Sequence, residues 1–121
     1  MEKLLHYVWM HKLLPSKMFA TTDGQNVKIL DPGQHNTNQG PDFINARIEI
    51  DGIIWSGNVE IHHVSSDWNR HRHHTDPVYN TTILHVVEQA DADIRTENGQ
   101  VVPQIIITVP QEVKDNYEEL L

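Results

Sequence analysis

The pattern of apolar and polar residues begins with a helical stripe near the start of the chain. Four apolar residues recur at positions i, i+3, i+4 and i+8, the spacing of one face of an amphipathic helix: Leu5, Val8, Trp9 and Leu13. Pro15 follows and is predicted to stop the helix, because a proline cannot continue its hydrogen bonding. We interpret this helix as a cover for a core, not as part of a site.

The middle of the chain has the period of two that is typical of strands. "TTDGQNVKIL" indicates a turn at Asp23–Gly24 before a short strand. "FINARIEIDGIIWSGNVEIHH" then predicts a hairpin that turns at Asp51–Gly52, with alternate apolar residues of its first strand on one face: Ile44, Ala46, Ile48 and Ile50. Between these segments lies "DPGQHNTNQGPD", a long polar loop of the kind that is often functional or mobile.

The second half adds a polar connection, two strands and a helix. "SSDWNRHRHHTDP" has room for a short helix, and "TTILHVVE" is apolar on both faces, as a central buried strand would be. In "VVPQIIITV", Pro103 predicts a strand near an edge or a bulge, and "QEVKDNYEELL" predicts a helix. This order favours an α+β (mixed α/β) fold, a central mixed β-sheet flanked by helices in a single domain over residues 1 to 121.

Composition and charge narrow the function classes. The 121 residues carry a formal net charge of -8, which argues against a broad nucleic-acid-binding surface. A local basic strip over residues 70 to 74 remains, and nine histidines would offset part of the negative charge near pH 6. The chain has no cysteine, which excludes thiolate chemistry and fits a cytoplasmic protein. We expect no membrane segment, because no apolar run approaches about 20 residues.

A group of acids and imidazoles is predicted at one end of the hairpin. Because side chains alternate along a strand, Glu60 and His62 lie about 7 Å apart on one face. A hairpin that turns at residues 51 and 52 brings Asp42 opposite Glu60, with allowance for a bulge at Gly57. Two carboxylates and one imidazole suit a divalent metal, with Mg²⁺ or Mn²⁺ favoured and Zn²⁺ as an alternative.

The histidines that follow extend this hypothesis and also supply its rivals. His71 and His73 are candidates for a further ligand or a general base, and His85 needs a partner because it interrupts an apolar strand. The leading hypothesis is a metal-dependent hydrolase that acts on phosphodiesters. One alternative is a non-catalytic domain that binds a metal or a partner protein through its histidine-rich loop. Another is a cupin-type barrel with His71 and His73 on one strand, which would require residues 68 to 76 to be a strand.

Four segments carry distinctive motifs: "EKLLHYVWMHKLL", "NQGPDFINARIEIDG", "GNVEIHHVSSDW" and "HRHHTDPVYNTTILHVV". Together they resemble the N-terminal part of an uncharacterised bacterial family, domain of unknown function 2851. The resemblance covers nearly the whole chain. It implies a longer family protein whose C-terminal region packs on this part, and it implies no activity.

A remoter resemblance concerns "PD" at residues 41 and 42 and "ExH" at residues 60 to 62. These motifs and the order of elements are similar to the PD-(D/E)xK nuclease superfamily, whose restriction-endonuclease-like core binds Mg²⁺ through an Asp and a Glu. The resemblance implies that Asp42 and Glu60 are metal ligands, that the Ile61 carbonyl completes the sphere, and that the substrate is a nucleic acid or another phosphodiester. His62 stands where the superfamily has a lysine, which removes a permanent cation and adds a metal-binding side chain.

Overall fold

The computed structural model describes residues 2 to 120, which form a mixed α+β protein, as the sequence predicts. In chain order the elements are α1 (Glu2–Met10), β1 (Met18–Ala20), β2 (Asn26–Asp31), β3 (Gln34–His35), β4 (Phe43–Ile50), β5 (Ile53–Val64), α2 (Asp67–Arg70), β6 (Thr82–Gln89), β7 (Gln104–Ile106) and α3 (Gln111–Leu120). Two 3₁₀ turns, His73–Thr75 and Pro77–Tyr79, lie between α2 and β6.

Helix α1 ends at Met10 with a C-terminal capping motif, five residues before Pro15. Lys12 has a left-handed φ of 54°, and the Leu13 N–H donates to the Val8 carbonyl at 3.0 Å. The Lys12 N–H donates to the Trp9 carbonyl at 3.3 Å, which completes a Schellman motif. The prediction that Pro15 stops the helix is therefore wrong by about one turn. No helix within residues 2 to 120 combines the length and the apolar character that a membrane crossing requires.

The strands form one mixed sheet in the order β1-β2-β4-β5-β6-β7, with β3 paired to the start of β4. Strands β1, β2, β4 and β5 pair with one another in this order, and each of these pairs is antiparallel. The predicted hairpin is confirmed, because Ile50 pairs with Ile53 across Asp51 and Gly52. Both turn residues have positive φ, 48° and 83°, as a two-residue type I′ turn requires.

A bulge in β4 determines the register at the far end of the hairpin. Ala46 pairs with Gly57 but Phe43 pairs with Val59, so β4 has one residue more than β5 in this interval. Asn45 lies in the bulge with a φ of 58°, a conformation that asparagine tolerates better than most residues. The extra residue brings the start of β4 opposite Glu60, as the sequence predicts for Asp42.

The predicted position of the bulge, at Gly57, is wrong, because the register shift lies in β4. A glycine is needed at position 57 for a different reason. A Cβ at Gly57 would lie 2.8 Å from the Thr81 carbonyl oxygen and would also overlap the Ile83 side chain. Glycine is therefore needed where the segment before β6 approaches β5. Because the bulge lies in β4, Phe43 is buried in the main core, whereas the sequence assigned Ile44 to that face.

Strands β5, β6 and β7 are parallel, and β6 lies between the other two, as its apolar sequence predicts. Pro103 immediately precedes β7, which is the last strand of the order. An antiparallel bridge between Thr21 and Ile105 links the end of β1 to β7, so that the sheet is nearly closed.

The two faces of the sheet are covered differently. The inner face packs against α1 in the main core, which includes Leu5, Val8, Phe43, Val59 and Ile61. The crossover from β5 to β6 and the connection from β6 to β7 cover the other face with a smaller cluster: Trp68, Tyr79, Ile94 and Val102. Residues 68 to 76 are short helical turns and not a strand, so the condition for a cupin-type barrel is not met.

Candidate metal site

Three neighbouring strands place a row of polar side chains on the face that the crossover covers. His85 in β6 pairs with Glu60 in β5 on one side and with Gln104 in β7 on the other. All three residues are buried, with exposures of 3%, 0% and 3% for Glu60, His85 and Gln104. His62 follows two residues after Glu60 and shares its face, because side chains alternate along a strand. This row forms the floor of the site.

Asp42 and Glu60 contact each other across the end of the hairpin. The Asp42 N–H donates to Glu60 Oε1 at 3.0 Å, and the Ile61 N–H donates to Asp42 Oδ2 at 2.9 Å. Each carboxylate therefore accepts a backbone hydrogen bond from the other residue's strand. The structure brings these two predicted site residues together, as the hairpin register requires.

Three histidines, His62, His71 and His73, form what we call the imidazole cluster, and two of them contact the second oxygen of Glu60. The ligand nitrogens of His62, His71 and His73 lie within 4.8 Å of one another. Glu60 Oε2 is 2.6 Å from His73 Nε2 and 3.5 Å from His62 Nε2. His62 and His73 are buried, whereas His71 is exposed, so the cluster is closed at its base and open toward solvent.

The crossover turns back on itself to bring His71 and His73 over the sheet. After α2, Arg72 adopts a left-handed φ of 62°, which costs a non-glycine residue about 1 kcal/mol. His73 then stacks on Tyr79 with ring centroids 3.7 Å apart. Trp68 is fully buried and donates from Nε1 to the Arg95 carbonyl at 3.0 Å, which holds the crossover in place.

Burial keeps Glu60, His62 and His73 neutral near pH 7 in the absence of a cation. Burial and the nearby Asp42 raise the pKa of Glu60 to about 10. Burial and the neighbouring His85 lower the pKa of His62 to about 3, and burial with His71 nearby lowers the pKa of His73 to about 4. Glu60 therefore holds a proton, and the 2.6 Å contact with His73 is a neutral hydrogen bond.

The acidic side of the site includes residues that the sequence analysis did not assign. His6 in α1 has Nε2 at 3.3 Å from Asp42 Oδ2, and its Nδ1 is 3.0 Å from His35 Nε2. Burial raises the pKa of Asp42, but hydrogen bonds from His6 and Glu60 outweigh it and the net pKa is lowered. Burial raises the pKa of Glu2, and the nearby charge of Asp42 raises it further. The position of His6 beside the apolar stripe of α1 was the only available signal for it.

A chain of buried hydrogen bonds leads away from the imidazole cluster. His62 Nδ1 is 2.7 Å from His85 Nε2, and His85 Nδ1 is 3.0 Å from Gln104 Oε1. Gln104 Nε2 then donates to the Ala92 carbonyl at 2.8 Å. Burial lowers the pKa of His85 to about 4, so it is neutral near pH 7. The partner that the sequence predicted His85 would need is thus provided twice, by His62 and by Gln104.

The remaining candidate residues of the histidine-rich segment lie apart from the imidazole cluster. Asp76 accepts from the Val78 N–H at 3.0 Å and caps a 3₁₀ turn. The predicted basic strip does not form one surface. His73 points inward, Arg70 forms an ion pair with Asp67, and the other members of residues 70 to 74 are exposed.

The donor set of the site fits a divalent cation. Neutral imidazole nitrogens and a carboxylate oxygen are ligands for Zn²⁺, Mn²⁺ and Fe²⁺, and two of the three histidines are already neutral. Asp42 directs its Oδ2 toward Ile61 and His6, on the other side of Glu60. Its role as a metal ligand stays a prediction.

The model of one protein family matches residues 2–121, and that family is described as Protein of unknown function (DUF2851). The chain belongs to this family, which confirms the resemblance carried by its motifs. Comparison with curated proteins and with solved structures gives no match. Its function must therefore be inferred from the geometry of its own site.

Proposed function

We propose that Glu60, His62 and His73 hold a divalent transition-metal ion, with His71 beside the ion on the exposed side. The observation that supports this most directly is the convergence of three imidazoles, with nitrogens within 4.8 Å of one another, beside one buried carboxylate oxygen. Two histidines and a glutamate also form the ligand set of many catalytic zinc sites, which leave a position open for water or substrate.

The distances need only small changes to become a coordination sphere. At metal–ligand distances of about 2.0–2.1 Å, the ligand atoms of a tetrahedral site lie about 3.3 Å apart. Glu60 Oε2 and His62 Nε2 are already at 3.5 Å. Glu60 Oε2 and His73 Nε2 are closer, at 2.6 Å, because a hydrogen bond joins them. A cation would replace the proton of this bond and move the two atoms apart.

The ligands favour a borderline metal over a hard one. Mg²⁺ prefers an octahedral shell of oxygen atoms, whereas imidazole suits Zn²⁺ and Fe²⁺, and a carboxylate suits Mn²⁺. The sequence favoured Mg²⁺ or Mn²⁺ because it predicted two carboxylates and one imidazole. With imidazoles in the majority, we propose Zn²⁺ and Mn²⁺ as the first ions to test.

We further propose that the site is that of a metal-dependent hydrolase acting on phosphodiesters, with nucleic acids among the substrates to test. A bound divalent cation would supply Lewis-acid activation of a phosphate ester and of a water molecule. His71 lies on the open side, where its imidazole can take a proton from that water. Arg72 follows His71 in the chain, is exposed, and offers positive charge to a phosphate group, whereas Arg70 is paired with Asp67.

A relation to the PD-(D/E)xK nucleases is part of this proposal. The features in its favour are the order of elements and the juxtaposition of Asp42 and Glu60 at the end of the hairpin. In the lysine position, His62 is hydrogen-bonded to His85 and has its other nitrogen near Glu60. His62 therefore suits a ligand better than a cationic group.

Thermal unfolding of the purified protein with added Zn²⁺, Mn²⁺ or Mg²⁺ tests metal binding. An ion present at 100 times its Kd stabilises the folded state by about 2.7 kcal/mol. We expect this with Zn²⁺ or Mn²⁺ in the wild-type protein and its loss in Glu60→Ala. Glu88→Ala is the matched control, because Glu88 pairs with His63 outside the cluster. Equal stabilisation of wild type and Glu60→Ala would refute the site.

Hydrolysis of bis(p-nitrophenyl) phosphate and of single-stranded DNA by the metal-loaded protein tests the reaction. We expect turnover by wild type and Glu88→Ala, and none by Glu60→Ala. Tight binding of Zn²⁺ without hydrolysis of either substrate would favour a second function, a non-catalytic domain that binds a metal or a partner protein. This alternative has a specific basis, since imidazoles outnumber carboxylates in the cluster and the chain has a net charge of -8.

A further inference from the structure

His85 and Gln104 are buried and are joined to the candidate ligand His62 by hydrogen bonds. Their donor and acceptor roles follow from one fixed point, the Ala92 carbonyl. A carbonyl oxygen can only accept, so the NH₂ group of Gln104 must face it across 2.8 Å. The amide oxygen of Gln104 is then the atom that faces His85.

The hydrogen positions on His85 and then on His62 follow in the same way. Gln104 Oε1 accepts, so His85 Nδ1 must carry a hydrogen, at a separation of 3.0 Å. A neutral imidazole has one N–H, so His85 Nε2 is an acceptor. It therefore takes the hydrogen of His62 Nδ1, 2.7 Å away. His62 is left with an unprotonated Nε2, the atom that lies 3.5 Å from Glu60 Oε2.

We infer that Gln104 and His85 are positioning residues that fix His62 as the Nδ1–H tautomer and thereby present its Nε2 lone pair to a metal ion. The inference deepens the proposed metal site and rests on it for its purpose, although the tautomer itself can be measured without any metal. A second hydrogen bond on a ligating histidine sets both the ring orientation and the tautomer, and its loss typically weakens metal binding 10- to 100-fold.

This arrangement also gives a reason for the polar row inside the sheet. Gln104 and His85 are buried between strands where apolar side chains would pack without any need for partners. Because His62 Nε2 cannot donate, it cannot hydrogen-bond to an ionised Glu60. A cation would bind to both of these acceptors, His62 Nε2 and the ionised Glu60. The polar row therefore selects the one tautomer of His62 that can act as a metal ligand through Nε2.

Long-range ¹H–¹⁵N correlation spectra of the histidine side chains measure the tautomers directly in metal-free protein at pH 7.5. We expect both His62 and His85 as Nδ1–H tautomers. A His62 with its hydrogen on Nε2 would overturn the inference, whether or not the protein binds a metal. A wild-type protein that binds no metal but shows the expected tautomers would instead refute only the proposed function.

Two substitutions of Gln104 separate positioning from packing. Gln104→Met keeps the volume but removes the acceptor, so we expect mixed tautomers at His62 and Zn²⁺ binding weakened 10- to 100-fold. Gln104→Glu keeps an acceptor for His85 and should restore the tautomer and most of the affinity. Thr82→Val is the control, a buried polar change in the same sheet outside the chain of hydrogen bonds. Unchanged tautomers and affinity in Gln104→Met would overturn the inference.

Discussion

Metal binding should release one proton from Glu60, and this is the sharpest quantitative consequence of the buried carboxyl. Burial and the nearby Asp42 raise the pKa of Glu60 to about 10, so at pH 7 almost all molecules carry that proton. A metal ligand must be deprotonated, whereas His62 and His73 are already neutral at this pH. Glu60 is therefore the ligand whose proton must leave.

The size of the effect follows from the pKa. Each pH unit below the pKa of Glu60 costs metal binding a factor of about ten, or about 1.4 kcal/mol. Between pH 6 and pH 8 the affinity for Zn²⁺ should therefore rise about 100-fold. Ordinary carboxylate ligands, with a pKa near 4.5, would give no change over this range.

Isothermal titration calorimetry measures the proton count. Titrations with Zn²⁺ at pH 7 in three weakly coordinating buffers give an observed enthalpy that depends linearly on the ionisation enthalpy of the buffer, with the number of released protons as the slope. We expect about one proton more for wild type than for Glu60→Gln, because glutamine has no proton to lose. Glu88→Gln, outside the cluster, should match wild type.

The role of Glu60 as a protonated carboxyl that becomes a metal ligand would be refuted by equal proton release from wild type and Glu60→Gln at measurable affinity. It would also be refuted by a wild-type protein that binds Zn²⁺ with no proton release at all. The first result would remove Glu60 from the coordination sphere, and the second would mean that its carboxyl is ionised before the metal arrives.

Three further predictions concern stability. The metal-free protein should be most stable near pH 6.5. The lowered pKa values of His62, His73 and His85 reduce the stability as the pH falls from 6.5 to 4, and the raised pKa of Glu60 reduces it as the pH rises from 4.5 to 10. Each effect is up to about 1.4 kcal/mol per pH unit and proton. Urea unfolding across pH checks this, and stability that rose steadily to pH 9 would contradict it. Gly57→Ala should lose about 1–3 kcal/mol in the same assay, because its Cβ would overlap the segment before β6. Thr82→Val should gain about 1 kcal/mol, because the buried hydroxyl has no hydrogen-bond partner within residues 2 to 120; a loss would contradict the assignment.

The sequence by itself determined the local features of the hairpin. The dipeptide Asp51–Gly52 favours positive φ at both positions, and the alternation of side chains then places Glu60 and His62 on one face. Neither feature depends on distant parts of the chain. For the same reason the apolar stripe of α1 was predictable, and the apolar residues on both faces of β6 indicated a buried strand.

The composition of the site depended on contacts that no local pattern encodes. Gln104 and His85 became neighbours only through parallel pairing of three strands, and His6 reached Asp42 only because α1 packs on the sheet. The orientation of His73 depends on one left-handed residue, Arg72, whose φ has no signal in its side chain.

The contrast has one physical cause. Turn geometry and side-chain alternation are set by neighbouring residues, so the sequence determined that Asp42 and Glu60 would meet. The order and direction of distant strands, and the burial that changes the pKa of Glu60, arise from packing of the whole chain. It is therefore the packing of the whole chain that brings the imidazoles of His62 and His73, and not a second carboxylate, to Glu60 Oε2.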